Sequence, residues 1–286
     1  RYGDSPAVIG ADLHNEPHGP ATWGDGGATD WGRAATEAGN AVLNVNPDWL
    51  IVVEGIENYQ GDSYWWGGNL QAVRDHPVEL DVPNKLVYSP HDYPASVFAQ
   101  DWFFDGSDLS EVFREAWGYI YEEGIAPIFL GEFGSKLETD VDKAWAQAIV
   151  RYLNGDLDID GTIDIPEGQS GMSFAWWSWN PNSGDTGGIL NDDWQTIRQE
   201  AVDLLEPLLA EDSGTGGTPV EVPAPNPTTS FVLTLDEASD EDVTLTYRTE
   251  DGTATAGEDY EATTGSVTFA PGETQKSIEI TRLADR

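Results

Sequence analysis

The sequence has no cysteine, one methionine, only 13 basic residues, and no apolar run approaching the ~20 residues of a membrane-spanning helix. Without cysteine there can be no disulfide, no thiolate metal site and no cysteine nucleophile, although the compartment is left open. Against the 13 basic residues stand 52 acidic ones, a formal net charge of −39. A surface that negative repels nucleic acid and anionic lipid, so neither is an expected partner, and no membrane insertion is expected. No secretory leader is visible, and the chain opens Arg1-Tyr2-Gly3 without an initiator methionine, so the true N terminus is expected upstream or removed. A phosphate-cradling glycine loop and a Gly-x-Ser-x-Gly nucleophile elbow are also missing.

The acidity runs through the whole chain. Residues 1–210 hold 36 acidic and 9 basic side chains, and residues 211–286 hold 16 and 4. Self-repulsion on this scale is tolerable where salt screens it, the Debye length being ~3 Å at 1 M. The expectation is a salt-adapted protein; an acidic secreted protein from an ordinary environment is the alternative.

All 12 tryptophans precede position 195. Residues 211–228 then turn Gly-, Thr- and Pro-rich, which reads as a linker. From 229 to 286, short Val/Thr/Ile runs broken by Asp-Gly and Pro-Gly predict a small all-β, immunoglobulin-like sandwich. Within 1–210, strands are predicted at 7–13, 49–53, 85–89, 126–131 and 172–177, and helices at 29–44, 108–123, 140–153 and 192–209. The alternation implies an α/β fold with a parallel sheet. Polar and aromatic residues gather at the strands' C-terminal ends, the active face of a (β/α)8 TIM barrel. A barrel needs eight strands and ~250 residues, so it is expected to be present only from about the fourth strand onward. The sandwich pattern stops at Asp285-Arg286, so both ends are expected to be cut.

Two carboxylates stand at strand ends, Glu16 in His14-Asn15-Glu16-Pro17 and Glu132 in Gly131-Glu132-Phe133-Gly134. Glycoside hydrolysis needs two carboxyls flanking one bond, ~5–5.5 Å apart for retention of configuration and ~6.5–9.5 Å for inversion. Strand ends on one barrel rim could hold either separation. With these motifs, His91 and Tyr93, Trp177, and the stretches 58–69 and 177–188, residues 1–210 resemble the C-terminal part of a glycoside hydrolase family 5 catalytic domain of the bacterial endocellulase branch.

The resemblance implies a retaining β-glycosidase acting on β-linked polysaccharide outside the cell, with Glu132 as nucleophile and Glu16 as acid/base. It also implies that Tyr93 bonds the nucleophile, Asn15 binds a sugar 2-hydroxyl, His91 completes the polar network, and Trp177 forms a stacking floor followed by a cis peptide. An arginine and a histidine that the family takes from earlier strands have no counterpart here, so the chain alone is expected to lack part of its site. Catalysis is expected to require no metal or other cofactor in the barrel.

Trp65, Trp66 and Trp179 are candidate sugar platforms, since pyranose rings offer flat C–H faces; loop packing is the alternative for Trp65 and Trp66, and the expectation for Trp23. Trp117, Trp145 and Trp194 are expected on helices, in the core. Glu54 and Glu57 are rival carboxylates that no matching motif surrounds. His14 and His18 do not make a zinc site, because Pro17 opposes a helix between them, and Asp185-Thr186-Gly187 has no second copy to form an aspartic-protease pair.

The second segment resembles a Calx-beta module through Val243–Tyr247 and the run from Asp251-Gly252-Thr253-Ala254 to Glu258-Asp259-Tyr260. That resemblance makes Asp259 and Asp285 candidate calcium ligands, with a solvated acidic face as the alternative. The reading is thus a salt-adapted, secreted endo-β-1,4-glucanase. A β-mannanase or other β-glucanase of the same family, and a non-catalytic carbohydrate-binding or adhesion protein, remain open. Oligomeric state is not legible.

Overall fold

The computed structural model describes residues 5, 7–166, 169–209, 228–235, 237–252, 254–257, 260 and 262–281. The chain divides into two compact units, Arg1–Gly217 and Thr218–Arg286.

In the first unit, strand β1 (Gly10–Asp12) leads to helix α1 (Trp31–Leu43) and strand β2 (Leu50–Val53). A two-rung hairpin, β3 (Asn58–Tyr59) with β4 (Asp62–Ser63), rises from the loop after β2. Then come β5 (Leu86–Tyr88), β6 (His91–Asp92), helices α2 (Leu109–Phe113) and α3 (Tyr119–Glu122), β7 (Phe129–Phe133), α4 (Asp140–Leu153), β8 (Ser173–Trp176) and α5 (Gln199–Leu209).

The parallel pairings run β1-β2-β5 and β6-β7-β8. The predicted strand at 85–89 is β5, and past Ser89-Pro90 a further two-residue piece that was not predicted, β6, continues its line. Proline has no N–H to give the ladder. Its carbonyl still accepts from Gly131 N at 3.0 Å, while Ser89 N donates to Val53 O at 2.9 Å and Tyr88 bridges Ile128. The broken strand therefore contacts β2 on one side and β7 on the other. Among the described strands, order in space follows order in the chain, as in a barrel; a doubly wound sheet reverses at a switch point.

Helix ends follow local chemistry. The Asp30 side chain accepts from Arg33 N to cap α1, and Thr139 caps α4 through Asp142 N. Two helix predictions need correction. The 108–123 helix contains a π segment at Arg114–Gly118 between α2 and α3. The 192–209 helix starts only at Gln199, because the Asp193 carboxylate accepts from Gln195 N and Thr196 N and closes a local turn. Trp194 consequently lies outside the helix and is half exposed, not core. Trp117 and Trp145 are fully buried with Tyr88, Tyr152, Phe113 and Phe133, and Trp23 is buried as packing. Among the described residues no helix is long and apolar enough to cross a membrane.

In the second unit, β9 (Thr228–Thr234) pairs antiparallel with β12 (Gln275–Thr281), and β10 (Val243–Arg248) with β11 (Thr264–Phe269). Phe269, Tyr260 and Ile280 are buried. Asp251 accepts from Ala256 N and from the Tyr260 hydroxyl, which closes the Asp-Gly turn. Asp259, Asp285 and the predicted linker up to residue 227 lie outside the described residues; Thr228 belongs to β9.

Candidate active site

The strand ends of β1, β2, β6, β7 and β8 bring five chemistries to one place. Glu16 follows β1, Glu54 follows β2, His91 opens β6, Glu132 lies within β7, and Trp177 follows β8. Register puts His91 directly beside Glu132. The His91 ring is buried and central: Nδ1 lies 3.1 Å from Glu16 Oε1 and 3.6 Å from Glu132 Oε2, and Nε2 lies 3.5 Å from Glu54 Oε1. Tyr93 donates its hydroxyl to Glu132 Oε2 at 2.5 Å. One oxygen each of Glu16 and Glu132 and one ring nitrogen of His91 all fall within 4.8 Å of one another.

Glu16 sits at φ 50°, a left-handed conformation that is costly for a residue with a side chain. Its N–H is held by Glu54 Oε2 at 2.7 Å. Three residues on, Glu57 Oε2 accepts from Gly19 N at 2.8 Å, so two carboxylates after β2 hold both sides of the Asn15-Glu16-Pro17 turn. Gly67 completes this anchor. It takes φ +69°, and a Cβ there would meet Glu54 Oε2 at 2.2 Å. Gly67 is thus needed for close approach to a buried carboxylate, and Gly68 for close approach to the His91 carbonyl, which a Cβ would meet at 2.5 Å.

Burial raises the Glu54 carboxyl to about 8, against the pull of His91 and the Glu16 N–H. Burial also raises Glu132 above the usual carboxylate range, opposed by the His91 charge and the Tyr93 hydrogen bond. On His91 burial works against the proton. The hydrogen bond to Glu16 and the charges of Glu54, Glu132 and Glu16 outweigh it and raise the imidazole. Burial, then Glu132, keep the Tyr93 phenol protonated. Burial therefore favours the protonated forms of Glu54 and Glu132, while the surrounding carboxylates favour the charged form of His91. Glu16, His91 and Glu132 are close enough to grip a metal; as they stand, His91 is hydrogen-bonded to Glu16 and Tyr93 to Glu132, which are the contacts of a proton-handling site.

Below this layer lies Asp92, fully buried and raised to about 7 by that burial. The Tyr64 hydroxyl and Trp145 Nε1 donate to it, the latter at 2.8 Å. Asp92 ties the cleft to the aromatic core, and no sequence pattern marked it.

A cleft of about 800 Å³ opens over the cluster, lined by Asn15, Glu16, Trp65, Trp66, Tyr93, Glu132 and Trp177, together with Glu57, Phe98 and Asp185. Trp177 is half exposed, and its peptide to Ser178 is cis. Trp66 is half exposed and stacks on His18 at 4.0 Å. Trp65 lines the cleft but is only 6% exposed, its ring edge-on to Tyr93 and Phe98. Trp179 is exposed and stands outside the cleft lining. Of the residues set aside on sequence grounds, Glu54 is the one brought into the cluster. Its signal was position alone, at the end of a strand.

Residues 1–183 match the Cellulase (glycosyl hydrolase family 5) family. The chain belongs to that family. Residues 224–286 match the Calx-beta domain. An endoglucanase of Paenibacillus polymyxa is 50% identical over 217 residues, covering 72% of this chain and 50% of that protein. The major extracellular endoglucanase of Xanthomonas campestris is 43% identical over 218 residues, covering 73% and 42%. Its catalytic domain superposes with TM-score 0.62 at 42% identity, covering 73% of this chain and 58% of that one. An endocellulase of the archaeon Pyrococcus horikoshii in complex with cellotetraose gives TM-score 0.62 at 39% identity, covering 73% and 60%. The chain thus spans about half the length of the curated relatives it matches. Family 5 membership implies a (β/α)8 barrel for the first unit, and the Calx-beta match is all-β.

Proposed function

We propose that the first unit belongs to a retaining endo-β-1,4-glucanase, with Glu132 as nucleophile and Glu16 as general acid and base. The observation that carries this reading is the carboxylate pair: oxygens of Glu16 and Glu132 lie within 4.8 Å. Inversion needs room for a water between the carboxyls, at ~6.5–9.5 Å, whereas retention needs ~5–5.5 Å. Glu132 attacks the anomeric carbon while Glu16 protonates the departing glycosidic oxygen. Glu16 then draws a proton from water, and that water opens the glycosyl ester. His91 and Tyr93 favour the charged form of Glu132. Asn15, beside Glu16 on the cleft wall, meets the sugar 2-hydroxyl; Trp177 supplies a flat floor and Trp66 a platform further along the cleft. Trp179 serves an outer position, and Trp65 acts mainly by shaping the wall.

The chemistry needs two carboxylates and water, and no metal. A β-1,4-glucan is the substrate most consistent with relatives named endoglucanase and with a neighbour that holds cellotetraose. Secretion accords with a polymeric substrate, and the net charge of −39 with work in concentrated salt. Hydrolysis of soluble β-1,4-glucan in molar NaCl, by this chain and by the chain supplied with the earlier strands of a family 5 barrel, tests the assignment wherever the parent is active. Glu132→Gln is expected to abolish it, and Glu16→Gln to slow it by about 10²–10⁴-fold, the usual worth of general acid–base help. Activity equal to the parent in either variant contradicts the roles.

A further inference from the structure

The loop between α4 and β8 carries a second carboxylate cluster that the glycosidase chemistry does not use. We propose that it is a calcium site, built on Asp156, Asp158 and Asp164, that fixes the α4–β8 connection. The sequence from Asp156 reads Asp-Leu-Asp-Ile-Asp-Gly-Thr-Ile-Asp-Ile-Pro-Glu. It has acids at the first, third, fifth and ninth places, glycine at the sixth and glutamate at the twelfth, the spacing of an EF-hand calcium loop. The twelfth residue, Glu167, lies outside the described residues, and the site is argued without it.

The folded loop supports the pattern independently. Asp156, Asp158 and Asp164 each bring one carboxylate oxygen within 4.8 Å of the other two. Asp156 is 4% exposed. Its Oδ2 accepts from Arg151 Nε at 2.7 Å and from Gly161 N at 3.0 Å. Its Oδ1 is buried with no hydrogen-bond partner. An anionic oxygen left without a partner in a protein interior is costly, and a cation is the ligand that removes the cost. Gly161, at φ +104°, makes the turn that brings its N–H back to the first acid. Four aspartates within nine residues face one arginine, so the loop holds excess negative charge of the kind hard cations take through oxygen.

The surroundings indicate a structural role. As in an EF-hand, a helix enters the loop, since α4 ends at Leu153; unlike one, the loop leaves toward a strand, β8. The loop precedes β8, on the side of the sheet where strands begin, whereas the cleft lies where they end. On a barrel that side governs stability rather than bond breaking. Bound calcium would therefore hold the end of α4 to the start of the strand that carries Trp177.

Hydrogen–deuterium exchange of the peptide covering residues 154–166 tests the proposal in the intact chain, in ~1 M NaCl to suppress diffuse ion binding. Calcium at about 10 mM, above the ~10⁻³ M upper end for such loops, is expected to slow exchange there and raise the melting temperature. Magnesium at the same concentration is expected to do much less. Asp158→Asn keeps the acceptor for Asp160 N but removes a charge, and is expected to raise the calcium needed for half-protection about tenfold. The parent comparison with and without calcium stands even if the variant fails to fold. No calcium-dependent protection of this peptide, or equal protection in Asp158→Asn, overturns the site. Protection confined to the second unit's Asp259 region also overturns it.

Discussion

The first unit holds two groups of acids that a sequence alone renders alike, and the fold gives them opposite chemistry. Around His91 the carboxylates are sunk in the protein and share a central imidazole, so Glu54 and Glu132 hold protons more tightly than usual. In the loop after α4 the acids are capped by hydroxyl and N–H donors; the Thr162 hydroxyl and N–H lower Asp160 below the ordinary aspartate value. Burial favours the protonated forms of Glu54 and Glu132, whereas the donors around Asp160 favour its charged form. What separates Glu54 and Glu132 from Asp160 is burial and the supply of donors, not residue type.

Removing the Glu54 anchor should disturb the cleft group most among its supporting residues. Glu54→Ala deletes the acceptor that holds Glu16 N–H and is expected to lower kcat by up to about 10²-fold with KM little changed, as for a misplaced catalytic group. Glu54→Gln retains an acceptor oxygen and should recover much of that loss, while altering the alkaline limb of the pH–rate profile. Equal, parallel losses in both variants with an unchanged profile would reduce Glu54 to a packing role.

Gly67→Ala acts on the same anchor from the backbone. The new Cβ must displace Glu54 Oε2 at a position already at positive φ, so a loss of about 1–3 kcal/mol in denaturant unfolding is expected.

A further effect is on pH. Glu54 at about 8 and Asp92 at about 7 bind protons in the fold that the unfolded chain releases near its ordinary carboxylate values. The folded state therefore carries the extra proton across that window, and its stability must fall as pH rises from roughly 4.5 to 8. His91, also raised, adds in the same direction. Asp92→Asn should flatten the part of this slope up to about pH 7; an unchanged slope would show that Asp92 is ionised throughout.

Much of the frame was readable beforehand, and the failures have physical causes. Alternation located β1, β2, β5, β7 and β8, and the periodic run at 140–153 matches α4 to the residue. The two-residue β6 was missed because Pro90, with no N–H for the ladder, parts it from β5. Trp194 was misread because Asp193, a local cap, outcompeted helix periodicity. In the site, Glu16 and Glu132 were legible through the residues beside them. Glu54 was not, because its role comes from burial against residues 37 and 38 positions distant, His91 and Glu16. The aspartate loop was spelled out in spacing but submerged among 52 acids; only the unpartnered Asp156 oxygen makes the spacing informative.

The central claim is that Glu132 and Glu16 work as a close pair through a glycosyl ester on Glu132. Following the anomer first released from a soluble β-1,4-glucan by proton NMR tests it most directly. The account predicts the β-anomer at early times, and an acidic-peptide mass shift on Glu132 when turnover is trapped. First release of the α-anomer would contradict it, because that result requires a water between carboxyls that stand too close to admit one.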